Sequence, residues 1–333
     1  MKVHVAHARR NPMTLKTGML ALLVAAVVSD AALAQPSNVT TIVAPFPAGG
    51  IIDVLARIFT QKLGDTTKEP YIVENKPGAN GMIGAKAAAK SKPDGKTWLI
   101  ADSAPVTVNP FLYPADPQFS ADKDLRPVRA LANQQLVLIM KKAFPAKTVK
   151  DFIDLAGKRE ITYASGGIGS SSHLAISYLN GIVGNLQFRH IPYRGGPQTI
   201  QSIVSGEVDC GFIILPLALP FIQQGQVVAI AVSGAKRSPH LPNVPTMIEA
   251  GYPTFEVENP YFAWLPSGVP DDVVKKVDHL LLSALNDPAV AEHIRSMGLE
   301  PITSMGEAES RKWLATNRDI WQKVIRDNHI KPE

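Results

Sequence analysis

Three times along this chain a short apolar run ends in a glycine-rich loop, and each loop opens into a helical pattern. Thr41-Ile42-Val43-Ala44 leads through Pro45-Phe46-Pro47-Ala48-Gly49-Gly50 to Ile51, Val54, Leu55, Ile58, Phe59 and Leu63, the spacing of one face of an amphipathic helix. Ile161-Thr162-Tyr163-Ala164 leads through the stretch Ser165 to His173 into a helix over 174–183. Phe188-Arg189-His190-Ile191 leads through Pro192-Tyr193-Arg194-Gly195-Gly196-Pro197 into a helix over 199–205. Strand-like runs at 71–74, 97–101, 208–214 and 227–232, with an Ala-rich helix over 81–90, complete two β-α-β-α-β units. Such alternation builds an α/β fold, with parallel strands covered by helices. The apolar stretch 131–141 between the units reads as a crossing from one to the other, 238–245 as a Pro-rich loop, and 271–328 as a helical tail. In that tail Trp313, Leu314, Ile320, Trp321, Val324 and Ile325 form one apolar face. A chain of 333 residues, 45% of them hydrophobic, is long enough for two such domains.

The N-terminus carries Lys2, Arg9, Arg10 and Lys16, then an uncharged apolar run from Gly18 to Val28, then Ala32-Leu33-Ala34. This order of charge, short apolar core and small residues is that of a secretory signal peptide over 1–34, cleaved near Ala34. The run is half the length needed to span a bilayer, and no cysteine follows it to carry a lipid. Arg9-Arg10 followed by Asn11-Pro12 fits twin-arginine export poorly, and Met13 is a second possible start. Of the formal net charge of +5, three units belong to this leader, so its removal leaves a weakly charged exported protein. With Cys210 as the single cysteine, an internal disulfide and a thiolate cluster are both excluded.

In open α/β sheets ligands sit where strands give way to helices. Gly49-Gly50 lets the backbone approach a ligand, and the helix beginning at Ile51 offers unpaired N–H groups and a positive dipole end to an anion. A tight turn completed by Asp53 is an equally good reading of the same residues. In the second loop Gly166, Gly167, Ile168, Gly169, Ser170, Ser171, Ser172 and His173 supply N–H and hydroxyl donors for a carboxylate. A capped helix start, or a serine nucleophile with His173 as base, are the alternatives. The latter lacks the G-x-S-x-G turn and has poor spacing for attack. In the third loop Arg194 can pair with a carboxylate or with a surface acid, and Tyr193 can stack on a ligand or simply pack. The histidines are scattered, so neither a metal site nor a cofactor is expected, and no basic stripe with interleaved aromatics points to nucleic acid.

The ordered set of motifs resembles one family along nearly the whole mature chain. It includes Val43 to Gly50 with Asp53 and Arg57, Val73-Glu74-Asn75-Lys76-Pro77-Gly78-Ala79-Asn80-Gly81, Lys92-Pro93-Asp94-Gly95 and Asn109-Pro110-Phe111-Leu112-Tyr113. Pro192 to Gly196, Gly206-Glu207-Val208-Asp209, Leu241 to Thr246 and Glu249 to Pro253 continue it. The family is the exported substrate-binding proteins of tripartite tricarboxylate transporters, the Bug family. The resemblance implies a two-lobed Venus-flytrap fold of type II, each lobe a sheet flanked by helices, with lobe 1 from 35–133 plus 259–333 and lobe 2 from 134–258. It implies a carboxylate held in the cleft by the loops Phe46 to Asp53 and Gly166 to His173, bordered by Ser103, Ala104 and Asp209. It also implies a periplasmic monomer serving membrane permease subunits or, alternatively, a sensor protein. Ile51 and Ile52 depart from smaller or polar residues of relatives, and Asn259-Pro260-Tyr261-Phe262 stands where relatives often carry a tryptophan.

Overall fold

The computed structural model describes residues 39–113 and 118–331, so the leader peptide lies outside the described residues. Among the described residues eleven strands form two sheets. In the first, β1 (Thr40–Ala44) runs parallel to β2 (Tyr71–Asn75) on one side and to β3 (Thr97–Ala101) on the other. Antiparallel strands then extend it: β10 (Tyr261–Pro266) beside β3, β4 (Leu125–Asn133) beside β10, and the short β11 (Glu300–Pro301) at the edge. The second sheet has the order β7 (Phe188–Pro192), β6 (Ile161–Ser165), β8 (Cys210–Ile214), β5 (Leu136–Lys141), β9 (Val227–Val232). There β6 is parallel to β7 and β8, while β5 is antiparallel to β8 and β9. Each sheet thus repeats one plan, in which a parallel trio carries an antiparallel neighbour.

The apolar stretch 131–141 is two strands, broken at Gln134-Gln135, where the chain leaves the first sheet for the second. It returns between Glu258 and Tyr261. The two passages lie side by side, with Gln135 bridging Glu258 and the Asn259 N–H donating to the Gln134 carbonyl at 3.2 Å. Strand β10 is buried at every position, and such a continuous apolar run carries no alternation to mark it as a strand.

Helices cover both faces. α1 (Ile51–Thr67) buries Leu55, Ala56, Phe59 and Leu63 on the first sheet. α2 (Met82–Ala89) crosses close to β1, because a Cβ at Gly84 would stand 2.7 Å from Pro45 Cβ and 2.9 Å from Pro45 Cα. α3 (Val149–Ala156), α4 (Ser171–Val183), α5 (Gly196–Val204) and α6 (Leu215–Gln223) flank the second sheet. The tail divides into α7 (Asp271–Leu285), α8 (Pro288–Ser296) and α9 (Glu307–Asp327).

α9 spans both units. Leu314 joins the core of the first sheet, whereas Trp321, Val324 and Ile325 join the core around Phe152, Phe212 and Phe255 of the second. The apolar face of α9, within the stretch 259–333 expected in the first lobe, is thus divided between the two cores. Among the described residues no helix is long and apolar enough to cross a membrane.

Candidate functional site

The loops leaving the C-terminal ends of β1, β3, β6 and β8 meet around one cavity of about 680 Å³. Both β1 and β6 are the middle strands of their parallel trios, the topological switch points where such sheets bind ligands. The cavity is lined by Phe46, Pro47, Gly49, Gly50, Ile51 and Ile52 after β1, and by Asp102, Ser103 and Ala104 after β3. Gly166, Gly169, Ser170, Ser171, Ser172 and Leu174 line it after β6, and Gly195, Gly196, Pro197 and Thr199 after β7.

The first loop is held from behind. Asp53, only 2% exposed, accepts the Gly49 N–H at 2.9 Å, the Arg57 guanidinium at two atoms (3.0 Å each) and Asn75 Nδ2 at 3.0 Å. The Arg57 bonds outweigh burial and hold the Asp53 carboxyl down at about 2, so it stays ionised. Asn75 also donates to the Phe46 carbonyl. Asp53 does not line the cavity, and Ala48 is exposed outside it. The result is a left-handed Gly49 (φ +82°) followed by Gly50, which starts α1 without a side-chain cap. The first-turn N–H groups, which have no helical acceptor, remain available on the cavity side at Ile51 and Ile52. Asn80 on the lining exchanges hydrogen bonds with Asn109, tying the segment before α2 to the turn Asn109–Leu112.

The second loop is held by a buried aromatic stack. His173 and His190 lie face to face with ring centroids 4.1 Å apart, and Tyr163 continues the stack 4.8 Å from His190. His173 Nδ1 accepts the Gly169 N–H at 3.1 Å. The Ser165 hydroxyl lies 2.6 Å from His190 Nε2 and bonds both the N–H and the carbonyl of Gly167. Desolvation, reinforced for His173 by its neighbour His190, lowers both imidazoles to about 4, so both rings are neutral at physiological pH. Gly167, Ile168 and His173 therefore sit behind the lining. Ser170 caps α4 through His173 N–H at 3.4 Å and donates to the Gly167 carbonyl at 2.7 Å. A serine nucleophile activated by His173 is not assembled, since its Nδ1 is taken by a backbone N–H and its ring faces the stack.

In the third loop the glycines, rather than Tyr193 and Arg194, reach the cavity. Tyr193 donates its hydroxyl to Glu207 at 3.0 Å, and the Arg194 side chain is exposed. Gly195, at φ +94°, starts α5 with no side-chain cap. Asp209 lies elsewhere. It precedes β8, at the N-terminal end of that strand, whereas the cavity gathers C-terminal ends. Burial raises its pKa, but Lys141 Nζ at 2.7 Å and two bonds from Thr162 outweigh this and leave it below the usual carboxylate range.

Other lining residues come from the passages between the sheets and from α9: Gln134, Val257, Glu258, Asn259, Tyr261 and Trp321, with Ile213 and Ile214 at the end of β8 and Leu217 after it. The residues at 259–262 stood out in the sequence only as a departure from relatives. Nothing local marked Gln134, and Trp321 stood out only as part of the apolar face of the tail. Among the described residues no lysine, arginine or histidine lines this cavity, and no cluster of three or more His, Cys, Asp or Glu is placed for a metal.

Residues 54–330 match the family model described as the tripartite tricarboxylate transporter family receptor. The chain is 32% identical to the protein BugT of Bordetella pertussis over 300 residues, 89% of this chain and 91% of that one. In structure it is similar to R. palustris Rpa4515 with adipate, at 27% identity and a TM-score of 0.77, covering 90% of this chain and 100% of the other. It is also similar to the periplasmic binding protein BugD, at 29% identity and a TM-score of 0.74, with the same coverage. With a family match running from α1 to beyond α9 and a relative this similar along most of both chains, the protein belongs to the family of tripartite tricarboxylate transporter receptors.

Proposed function

We propose that this protein captures a small organic carboxylate in the cavity between its two sheets, in the periplasm and as a monomer, and delivers it to a permease of the tripartite tricarboxylate type. The observation that carries this reading is the start of α1 at Gly50 and of α5 at Gly195, both without a side-chain cap and both on one cavity that, among the described residues, no cationic side chain lines. Unpaired N–H groups at a helix start favour an anion by about 0.3–1 kcal/mol where exposed and up to about 2 kcal/mol where partly buried. Ser103, Ser171 and Ser172 add hydroxyl donors. Phe46, Ile51, Ile52, Val108 and Leu174 supply an apolar wall for the body of the ligand. The similarity to Rpa4515 with adipate and to a periplasmic binding protein supports the substrate class and the compartment. The leader read from residues 1–34 supports export. Closure follows by rotation about the two adjacent passages at Gln134-Gln135 and Glu258 to Pro260.

Calorimetry against a panel of mono- and dicarboxylates, amino acids and aromatic acids tests capture. A ligand bound only by the folded state at a hundred times its Kd stabilises it by about 2.7 kcal/mol, visible as a saturable thermal shift. Absence of both heat and shift across the panel would refute the reading. Uptake into vesicles bearing the permease, dependent on the added protein, tests delivery.

A further inference from the structure

Two polar residues of the lining, Asp102 and Gln134, differ from the rest. Asp102 follows β3 directly and lines the cavity. Its Oδ1 accepts the Ala104 N–H at 3.1 Å, and the Asn259 side chain also bonds it. Among the described residues no cation pairs with it. Gln134, on the first passage between the sheets and 1% exposed, lines the same cavity. Its Oε1 accepts from the buried Tyr261 hydroxyl, while its Nε2 has no partner. A buried amide with an unused hydrogen-bonding edge is costly unless a ligand meets it. A half-buried carboxylate without a counter-charge carries a further cost. Burial already pushes the Asp102 carboxyl up to about 6.

We propose that the ligand carries a protonated amine besides its carboxylate, that Asp102 pairs with this ammonium, and that Gln134 bonds a polar group next to it. This rests on the carboxylate reading and narrows it from carboxylates in general to amino acids. The charge pattern of the cavity favours such a dipolar ligand. The starts of α1 and α5 present positive partial charge to the carboxylate, and Asp102 presents negative charge to the other group. Glu258, also on the lining, has the same sign, and its carboxylate is engaged by Asn133 and the Ala235 N–H. A dicarboxylate would bring its second carboxylate against Asp102 with no cationic side chain to separate them.

Calorimetry on the full chain at neutral pH, with matched probes, decides this. The probes are γ-aminobutyrate, δ-aminovalerate, ε-aminocaproate and the neutral L-amino acids against succinate, glutarate and adipate. The tightest amino acid binds at least about tenfold better than the tightest dicarboxylate, as close opposite charges in a desolvated site require. Asp102→Asn keeps the acceptor for Ala104 N–H, and it brings the two classes within about threefold of each other. Its unliganded melting temperature, equal to or above that of the parent, shows that the fold is intact. A dicarboxylate that binds the parent as tightly as the best amino acid would overturn the inference and leave the carboxylate reading standing. So would a preference that survives in Asp102→Asn. Binding by none of the acids would overturn both.

Discussion

Acidification from pH 7 to pH 5 should destabilise the fold through the stacked histidines of the second loop. His173 is 8% exposed, and burial beside His190 lowers its pKa from 6.5 to about 4. The unfolded chain takes up a proton from about pH 6.5 downward, while the folded protein resists until about pH 4. This contribution to stability is therefore complete above the ordinary imidazole range, falls with pH through that window, and levels off below the folded value. Two protonation equilibria 2.5 units apart withdraw about 2 kcal/mol at pH 5 for one such ring, and His190, shifted in the same direction, adds a loss of the same sign. Total stabilities of about 5–15 kcal/mol make this easily measured. Urea unfolding at pH 7 and pH 5 should show the parent losing about 2–4 kcal/mol more than His173→Gln/His190→Gln, whose side chains still offer hydrogen bonds but take up no proton. Carboxylates that titrate in the same interval cancel in that difference. The hydrogen bond from the Gly169 N–H should persist at pH 5, because the folded ring keeps Nδ1 unprotonated down to about pH 4. Equal losses in the parent and the double variant would refute the argument.

Three further outcomes are expected. Gly50→Val keeps a permitted backbone (φ −75°) but puts a Cβ 3.2 Å from the Pro47 carbonyl and a side chain into the cavity; carboxylate affinity should drop at least about tenfold with the melting temperature nearly unchanged, and calorimetry with unaltered affinity would take the first loop out of the site. Asp53→Ala leaves Arg57, Asn75 and the Gly49 N–H without their acceptor and should cost about 1–3 kcal/mol in urea unfolding, together with weaker binding. Trp321→Ala removes a ring that is 5% exposed and meets Tyr178 edge-on at 6.0 Å; a cost of about 3–5 kcal/mol is expected from urea unfolding, and a loss under about 1 kcal/mol would show that α9 does not tie the two cores together.

Short-range physics explains what could be read from the residues directly. Alternation of apolar runs with helical spacing depends on neighbours a few positions apart, so α1, α4, α5 and the parallel strands are visible as patterns. The glycines at 49–50, 166–169 and 195–196 mark strand-to-helix loops for the same reason, since a left-handed φ or a close approach is a local demand. Which end of a strand faces a ligand is not local. Asp209 lies at the wrong end of β8 because strand direction is fixed by pairing with β6 and β5. His173 turns from the cavity because the ring of His190, on a strand seventeen positions away, offers it a stacking partner. Tyr193 turns to Glu207, and the backbone of Gly195 takes its place at the cavity.

By itself, then, the sequence determined two α/β units and their glycine loops, all properties of contiguous stretches. The tertiary structure alone decided that Asp102, Gln134, Asn259, Tyr261 and Trp321 share one cavity with those loops. These residues come from four separate parts of the chain. They meet only because β4 and β10 pair side by side where the chain passes between its sheets, and because burial of the apolar face of α9 carries Trp321 back across the cleft.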